Sequence, residues 1–118
     1  MMHTETTISF TKETFIDLKL TKKKYAEIKE ELTHYEHILK ECNSWSELLS
    51  DEFRKNVHID IEVDGVMQNM LLDEAIVILT KKVNCLRGDL AYNKQQQELL
   101  TGLIDELTKV FPEVVNEL

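Results

Sequence analysis

Two histidines on one helical turn are the residues whose type and spacing could bind a metal ion. His34 and His37 lie three positions apart. Glu30 and Glu41 fall on the same side of a helix. Imidazole and carboxylate groups can bind Zn²⁺, but a site needs a further convergent ligand and a pocket. A helical metal-binding protein is thus one hypothesis; we prefer a polar outer face and predict no metal.

The remaining reactive side chains give no catalytic pattern. Cys42 and Cys85 are too few for a disulfide framework. They come nearly level on paired helices, so a cross-helix disulfide is sterically conceivable, but two small buried hydrophobes in a reducing compartment are favoured. The sequence contains neither a glycine-rich phosphate loop nor a nucleophile elbow or zincin motif. We therefore predict no catalytic residue, no cofactor and no enzymatic activity.

Composition and charge narrow the class of protein. The chain has 118 residues, of which 42% are hydrophobic and 31% charged, with three glycines and one proline. These values are typical of a single, mostly helical domain. A net charge of −8 argues against binding to nucleic acid or anionic membrane. No apolar run approaches the roughly 20 residues of a membrane span, and the polar start lacks a signal-peptide core. We expect a cytoplasmic or nuclear protein.

A heptad pattern in the second half of the chain organises the rest. Between Leu72 and Phe111, apolar residues recur at alternating steps of four and three, and only Asn93 and Gln97 are polar. Such a repeat indicates a helix that buries a narrow stripe against another helix in a left-handed coiled coil. We call these positions the second seam: Leu72, Ile76, Leu79, Val83, Leu86, Leu90, Asn93, Gln97, Leu100, Ile104, Leu107 and Phe111.

A second heptad series in the first half can supply the partner helix. It predicts helix 1 over residues 12–55, after a loose, Thr-rich arm at residues 1–11. A break is expected near residues 43–44, where Ser44 could cap a new helix and Glu47 would complete a capping box. The first seam consists of Leu18, Thr21, Tyr25, Ile28, Leu32, Tyr35, Leu39, Cys42, Ser46, Leu49 and Phe53.

Between the helices the hydrophobic period changes to two, which predicts a β-hairpin over residues 56–69. Asp64-Gly65 is typical of a type I′ turn, so Val63 should oppose Val66. By the same register Ile61 opposes Gln68 and Glu62 opposes Met67. A lone hairpin is marginal in water, and its apolar face and edges favour partner strands. The predicted oligomerisation residues are Val57, Ile59, Ile61, Val63 and Val66.

The order helix, hairpin, helix predicts the fold. It is mostly α with a small β-hairpin: an antiparallel two-helix coiled coil joined by a hairpin that mediates oligomerisation. Asn69 is expected to cap helix 2, which covers residues 70–111, and residues 112–118 form a tail. Placing Phe53 opposite Leu71 brings Tyr35 near Asp89. Residues 1–118 are interpreted as one domain.

Three short segments carry a family resemblance: Tyr25-Ala26-Glu27-Ile28 with the helix to Glu41, Met70-Leu71-Leu72-Asp73-Glu74-Ala75-Ile76, and Gly102-Leu103-Ile104-Asp105-Glu106-Leu107. With the heptads and hairpin, they make residues 11–118 resemble a prefoldin subunit. The resemblance implies six subunits assembled through a β-barrel base, with helix tips that hold unfolded clients. The start of helix 2 is similar to alpha-type and unconventional subunits, whereas a single hairpin is the beta-type arrangement.

The free end of the coiled coil is the predicted binding end. Beyond Asn93 and Gln97, helix 2 is acidic and carries apolar residues that the second seam does not use. The leading hypothesis is a non-enzymatic prefoldin-like cochaperone or scaffold subunit, with homo- or hetero-oligomeric protein partners and unfolded clients. The alternative is a small acidic homo-oligomeric regulatory protein, such as phages encode, that binds and inhibits a partner. The predicted client- or partner-binding residues are Phe10, Phe15, Leu99, Leu103 and Val110.

Overall fold

The computed structural model describes residues 5–118. It contains, in chain order, α1 (Glu5–Leu48), α2 (Asp51–Arg54), β1 (His58–Val63), β2 (Val66–Leu71), α3 (Leu72–Val110) and α4 (Pro112–Asn116). These elements form two compact units. Residues 29–88, which include the strands, are called the hairpin unit. The described residues before 29 and residues 89–118 are called the terminal unit.

The predicted fold class, mostly helical with an antiparallel hairpin between two long helices, is confirmed. Every position of the second seam is buried or half-buried on α3 and at Phe111 just after it, including the polar Asn93 and Gln97. The first seam is likewise buried or half-buried on α1 and at Leu49 just after it, except at Phe53, which lies in α2 and is 65% exposed. The heptad repeat therefore identified the faces on which the helices bury their side chains.

The hairpin has the predicted register. Val63 pairs with Val66, Ile61 with Gln68 and Glu62 with Met67. Asp64 and Gly65 have φ values of 54° and 81°, as a type I′ turn requires. The amide of Leu72 donates to the carbonyl of Val57 at 3.0 Å and continues the ladder to the start of α3. The turn residues alone were enough to fix the pairing, because a two-residue loop allows one register.

The core of the hairpin unit is apolar. Leu72, Ala75 and Leu79 on α3 have no exposed surface, and Val83 has 1%. Long aliphatic side chains at these steps present one continuous stripe, because residues three and four apart share a helix face. The other buried members of this unit are Leu32, Tyr35, Cys42, Ile61, Met70 and Leu86.

The terminal unit buries more polar groups. Thr11 is fully buried and Thr14 is 3% exposed, and their hydroxyls donate to the carbonyls of Thr7 and Phe10 at 2.8 and 2.9 Å. Such bonds satisfy a buried hydroxyl within its own helix. Among the described residues, the other buried members of this unit are Asn93, Leu107 and Val114.

The expected loose arm is wrong for residues 5–11, which are part of α1; residues 1–4 lie outside the described part of the chain. Threonine is a weak helix former, so the composition disfavoured a helix here. Burial of Thr11 and its bond to Thr7 explain why the helix extends back to Glu5. Packing within the terminal unit thus outweighs intrinsic propensity.

The expected break at residues 43–44 is also wrong, because α1 continues to Leu48. The Ser44 hydroxyl donates to the carbonyl of Lys40 at 3.0 Å, so it bonds within the helix instead of capping a new one. The chain leaves the helix at Leu49 and Ser50, where Ser50 has an extended ψ of 157° before α2. Helix 1 is therefore shorter at its end than the predicted 12–55.

Three boundaries near α3 differ from the prediction. The strands extend to Leu71, so α3 begins at Leu72 and not at residue 70. Asn69 lies in β2 and does not cap α3, since its amide donates to Asp60 Oδ1 across the hairpin at 2.8 Å. The expected tail at residues 112–118 contains α4, which begins at Pro112 and buries Val114. Proline suits a first helical turn, because its missing N–H would have no partner there.

The expected register of the two helices, with Tyr35 near Asp89, is wrong. Lys82, and not Asp89, lies over the Tyr35 ring, with Nζ 5.5 Å from the ring centroid. The error arises from the chosen reference, because Phe53 belongs to α2 and does not extend the coiled coil. Residues after Leu48 turn away from α1, so counting straight through them shifted the register by about one heptad.

Candidate functional site

The tip of the hairpin is held against both long helices within the hairpin unit. The amide of Asp64 donates to the Tyr35 hydroxyl on α1 at 3.1 Å. Lys82 on α3 donates to the Asp64 carboxylate, and its Nζ lies 3.4 Å from Glu31 Oε1. Tyr35 is 5% exposed, so its ring packs in the core while its hydroxyl reaches the turn. We call Glu31, Tyr35, Asp64 and Lys82 the hairpin clamp.

The electrostatics of the hairpin clamp favour the charged form of Lys82. Its hydrogen bond to Asp64 is the main reason that the pKa of the Lys82 ammonium lies above its ordinary value of 10.5. Coulombic attraction to Asp64 and a bond to Glu31 add to this effect, while partial burial opposes it. The hairpin is thus fixed by one cation that contacts the turn and both helices at neutral pH.

The five predicted oligomerisation residues lie on one face of the hairpin. Ile61 is 5% exposed, and its neighbour Met70 on the same face is 7% exposed, so the centre of this face already packs within the chain. Val57, Ile59 and Val63 are half-buried. Val66 is 55% exposed. The apolar face is therefore partly covered by the hairpin unit itself, and most of its exposed area is at the turn.

The strand edges offer the larger set of unpaired groups. Val63 and Val66 close the turn as a hydrogen-bonded pair, and such pairs alternate with non-bonded pairs along an antiparallel ladder. Alternate backbone N–H and C=O groups therefore point outward and can accept a further strand on each side. These outward groups belong to His58, Asp60 and Glu62 on β1 and to Met67, Asn69 and Leu71 on β2.

The five predicted partner-binding residues all lie in the terminal unit. Leu99 and Val110 are each 62% exposed and Leu103 is 36% exposed. On α3 these three share one side, because their spacings of four and seven return to the same direction. Tyr92, seven residues before Leu99 and 65% exposed, extends this stripe. We call Tyr92, Leu99, Leu103 and Val110 the α3 terminal stripe.

The two predicted partner-binding residues on α1 differ in exposure and in direction. Phe10 is 48% exposed and Phe15 is half-buried. They lie five residues apart, so they leave α1 in different directions. Of the two, Phe10 therefore offers the larger surface to a partner. Ile16 and Leu20, 55% and 57% exposed, provide further apolar surface on α1 that the sequence analysis did not select.

The side chains considered for metal or redox chemistry remain separate. Within residues 5–118, no group of three or more His, Cys, Asp or Glu side chains could hold a metal ion. His37 Nε2 lies 3.2 Å from Glu41 Oε1 on the surface. Both cysteines are free; Cys42 is buried, which raises its pKa, whereas Cys85 is exposed and thus differs from the expected buried pair. No helix among the described residues is long and apolar enough to cross a membrane.

The sequence analysis missed the hairpin clamp. Tyr35 was placed in the first seam, but its bond to Asp64 spans 29 residues of sequence. Lys82 was not selected, because a lysine beside a seam position is usually an exposed charge. The signal available was Asp64 itself, a carboxylate at the tip of a turn that must lie near a helix. Only the correct register of the two paired helices could have identified the partners of Asp64.

Among residues 5–118, two paired helices joined by a single hairpin define a helix–hairpin–helix coiled coil. Within that class the chain has the prefoldin fold, as the sequence resemblance predicted. It is similar to the crystal structure of the prefoldin beta subunit from Thermococcus strain KS-1, with a TM-score of 0.68 and 19% identity over 97% of this chain and 90% of that chain. No protein-family model matches the sequence, and no curated protein matches it.

Proposed function

We propose that this protein is a prefoldin-like cochaperone or scaffold subunit that assembles through its hairpin and holds partner proteins with the terminal unit. The observation that carries the proposal is the fold shared with a prefoldin beta subunit across 97% of the chain. A single hairpin among residues 5–118 supports the beta-type arrangement. The partners would be other subunits of the same or a different kind, together with unfolded clients.

The hairpin supports assembly by its geometry. Neither of its edges pairs with another strand among residues 5–118, and a two-stranded sheet is marginal alone. The hairpin clamp holds the turn in one position, so less conformational entropy is lost when another strand pairs with it. Assembly would then join outward backbone groups along the edges and bury Val66 with the exposed parts of Val57, Ile59 and Val63. Ile61 would contribute by supporting that face from within.

The terminal unit supports client holding by its surface. The α3 terminal stripe exposes four large apolar side chains, and Glu106 lies beside it, while Glu98 and Asp105 lie further around the same helix. Exposed apolar groups with charged neighbours can contact unfolded segments while the protein itself stays soluble. The polar interior of the same unit is suited to adjusting its packing around different clients.

Size-exclusion chromatography with light scattering tests the assembly part of the proposal. At micromolar concentration we expect a defined oligomer, either of the chain alone or after mixing with a partner subunit obtained by pull-down and mass spectrometry. A monodisperse monomer that gains no partner in either experiment would contradict an assembling hairpin.

A double substitution tests the binding surface. Leu103→Ser with Val110→Ser should weaken suppression of aggregation of a heat-denatured model client, while the oligomeric mass stays unchanged. Both side chains are exposed, so their loss should remove contact area without disturbing the core. Val77→Ser, at a 53% exposed position of α3 in the hairpin unit, is the matched control and should leave suppression intact. A double variant that loses its oligomeric state but keeps binding would show that these residues are structural.

The regulatory alternative predicts a different result in the same assays. An acidic protein that inhibits one specific partner would form its oligomer but would not suppress aggregation of unrelated clients. It would instead bind one basic protein in a salt-dependent manner. The net charge of −8 favours this alternative. The carboxylates that are mixed with lysines on α1 weigh against mimicry of nucleic acid.

A further inference from the structure

A row of exposed residues follows one side of α1 through the hairpin unit. Their spacings are four, three, four, four and three, so all six fall within about a quarter turn of the helix. Each of them is exposed, and the row is separate from the seam and from the hairpin clamp. We call Glu30, His34, His37, Glu41, Trp45 and Leu48 the outer stripe.

The end of the outer stripe nearest the hairpin is apolar. Trp45 is 50% exposed and Leu48 is 83% exposed, one helical turn apart. An exposed tryptophan next to an exposed leucine is an unusual arrangement for a surface with no partner, because aromatic anchors are enriched at the centres of interfaces. The uninterrupted helix is what displays them, since a break at residues 43–44 would have separated them from Glu41.

The rest of the outer stripe is acidic and contains no lysine or arginine. Glu30 and Glu41 carry its negative charge, and Glu41 Oε1 lies 3.2 Å from His37 Nε2. The neighbouring lysines, Lys29 and Lys40, lie about 80 to 100° away around the helix. The lysines of α1 in the hairpin unit therefore lie off the outer stripe, whereas Glu30 and Glu41 lie on the same side as Trp45 and Leu48.

We propose that the outer stripe is a docking surface for a basic amphipathic helix of a partner protein. The stripe spans 19 residues of α1, a rise of about 27 Å, so an ordinary helix of about five turns would cover it. Two apolar side chains of the partner pack on Trp45 and Leu48. Its lysine or arginine side chains, continuing along the same face, lie against Glu41 and Glu30.

A second copy of this chain fits the surface poorly. A two-fold pairing along the full length of the outer stripe brings glutamates of one copy close to those of the other, or leaves Trp45 and Leu48 against acids. Like charges at an interface are unfavourable, whereas a basic partner is attracted at long range and oriented by the same charges. This docking surface is independent of the hairpin edges and of the α3 terminal stripe, so it stands or falls separately from the proposed function.

Trp45 provides the readout, because it is the one tryptophan in the sequence. The probe is a tryptophan-free peptide of 18 leucines and lysines arranged to form an amphipathic helix, titrated into the full chain. We expect a saturable blue shift of Trp45 emission with one peptide bound per chain. A scrambled peptide of the same composition, whose leucines share no helix face, should produce at least about tenfold weaker binding.

Matched variants locate the site. Leu48→Ser and Glu41→Lys should each weaken binding by about tenfold, as loss of an anchor or reversal of a facing charge does. Glu47→Lys makes the same charge change on the same helix but on the side of Lys40, and should alter affinity less than about threefold. Circular dichroism checks that all variants remain helical.

Three results would overturn the proposal. The first is no change in Trp45 emission at millimolar peptide. The second is equal weakening by Glu47→Lys and Glu41→Lys, which would reflect only the net charge of the protein. The third is a blue shift that develops with protein concentration in the absence of peptide, which would identify a second copy as the occupant.

Discussion

In the hairpin unit the buried side chains are apolar, one of them a cysteine, whereas three of the five buried side chains among the described residues of the terminal unit are polar. Both units use the same two helices and the same heptad spacing. The two units differ in the residue types at their buried positions. Examples are Leu72, Leu79 and Val83 in the hairpin unit and Thr11, Thr14 and Asn93 in the terminal unit.

This difference indicates that two units built from the same two helices can differ in stability. Apolar burial contributes roughly 25 cal/mol per Å² and is the main source of stability. Buried hydroxyls and amides contribute less, because their hydrogen bonds replace bonds to water. We therefore expect the hairpin unit to be the more stable unit and the terminal unit to open at lower free energy. A stable unit is suited to assembly, and a unit that opens more easily is suited to binding varied partners.

The largest effect should come from removing apolar volume in the hairpin unit. Leu86→Ala, at a position 4% exposed in the second seam, should lower the free energy of unfolding by about 2–5 kcal/mol. Leu99→Ala, at a 62% exposed position, is the control and should change it by less than about 0.5 kcal/mol. Urea unfolding measures both. A loss well under 1 kcal/mol at Leu86 would mean that the hairpin unit is not packed as described.

The turn of the hairpin gives the next largest effect. Gly65 has a φ of 81° and no neighbouring atoms within 4 Å of an added Cβ, so Gly65→Val acts through backbone strain alone. We expect a loss of about 1–3 kcal/mol, dissociation of any oligomer, and helicity largely retained. Gly88→Val, in α3 with equal free space, should stay within about 0.5 kcal/mol of the parent protein. An unchanged oligomer in the Gly65 variant would contradict assembly through the hairpin.

The regular parts of the fold could be predicted because each follows from a local rule. The second seam has a fixed period, and each of its twelve positions is covered. The register from Val63–Val66 onward follows from Asp64-Gly65, since few residue pairs tolerate positive φ at both positions. The order of elements then defines the fold. These inferences needed no information about distant contacts.

The errors occur where a residue can form either a contact with a neighbour in sequence or a contact with a residue far away in sequence. Ser44 could cap a helix or bond back to Lys40, and composition does not distinguish the two. The threonines near residue 11 are helical because they are buried, a fact that depends on the other helix. The hairpin clamp joins Lys82 to a residue 18 positions earlier, which no period reveals. Of the candidate surfaces, sequence reasoning found the hairpin and most of the α3 terminal stripe but not Tyr92.

The hairpin clamp allows a smaller and pH-dependent test of the hairpin unit. Lys82→Met keeps the aliphatic stem and removes the charge, and should cost about 1 kcal/mol, because Asp64 and Glu31 can still be solvated. The pKa of Lys82 is raised in the folded protein, so its contribution is present below the ordinary value of 10.5 and is lost as pH rises through the higher folded value. The stability difference between parent and variant should therefore be constant near neutrality and shrink above pH 10.5. A difference that grows with pH would contradict the assigned role.

The smallest effect should come from Asn93 and Gln97, the two polar residues of the second seam, which lie in the terminal unit. The Asn93 amide donates to the Thr21 carbonyl at 3.1 Å, and its Oδ1 accepts from Gln97 at 3.0 Å. Asn93→Leu keeps the number and branching of the side-chain heavy atoms, with a somewhat larger volume, and removes both bonds. Thr21 lies inside α1, so its carbonyl is free to accept the ordinary helical bond, and the half-buried Gln97 can reach water. The free energy of unfolding should therefore rise by between zero and about 1 kcal/mol.

Asn93→Ala separates the hydrogen bonds from the volume. It removes the same two bonds but leaves space in the seam, so it should be about 1–2 kcal/mol less stable than Asn93→Leu. A polar residue at a seam position fixes the register of paired helices at some cost in stability. Amide hydrogen exchange along α3 should accordingly show altered protection around residues 89–100 in Asn93→Leu even where its unfolding midpoint is unchanged or higher. If Asn93→Leu instead loses as much stability as Leu86→Ala, the polar contacts support the terminal unit as strongly as apolar packing supports the hairpin unit, and the contrast between the two does not hold.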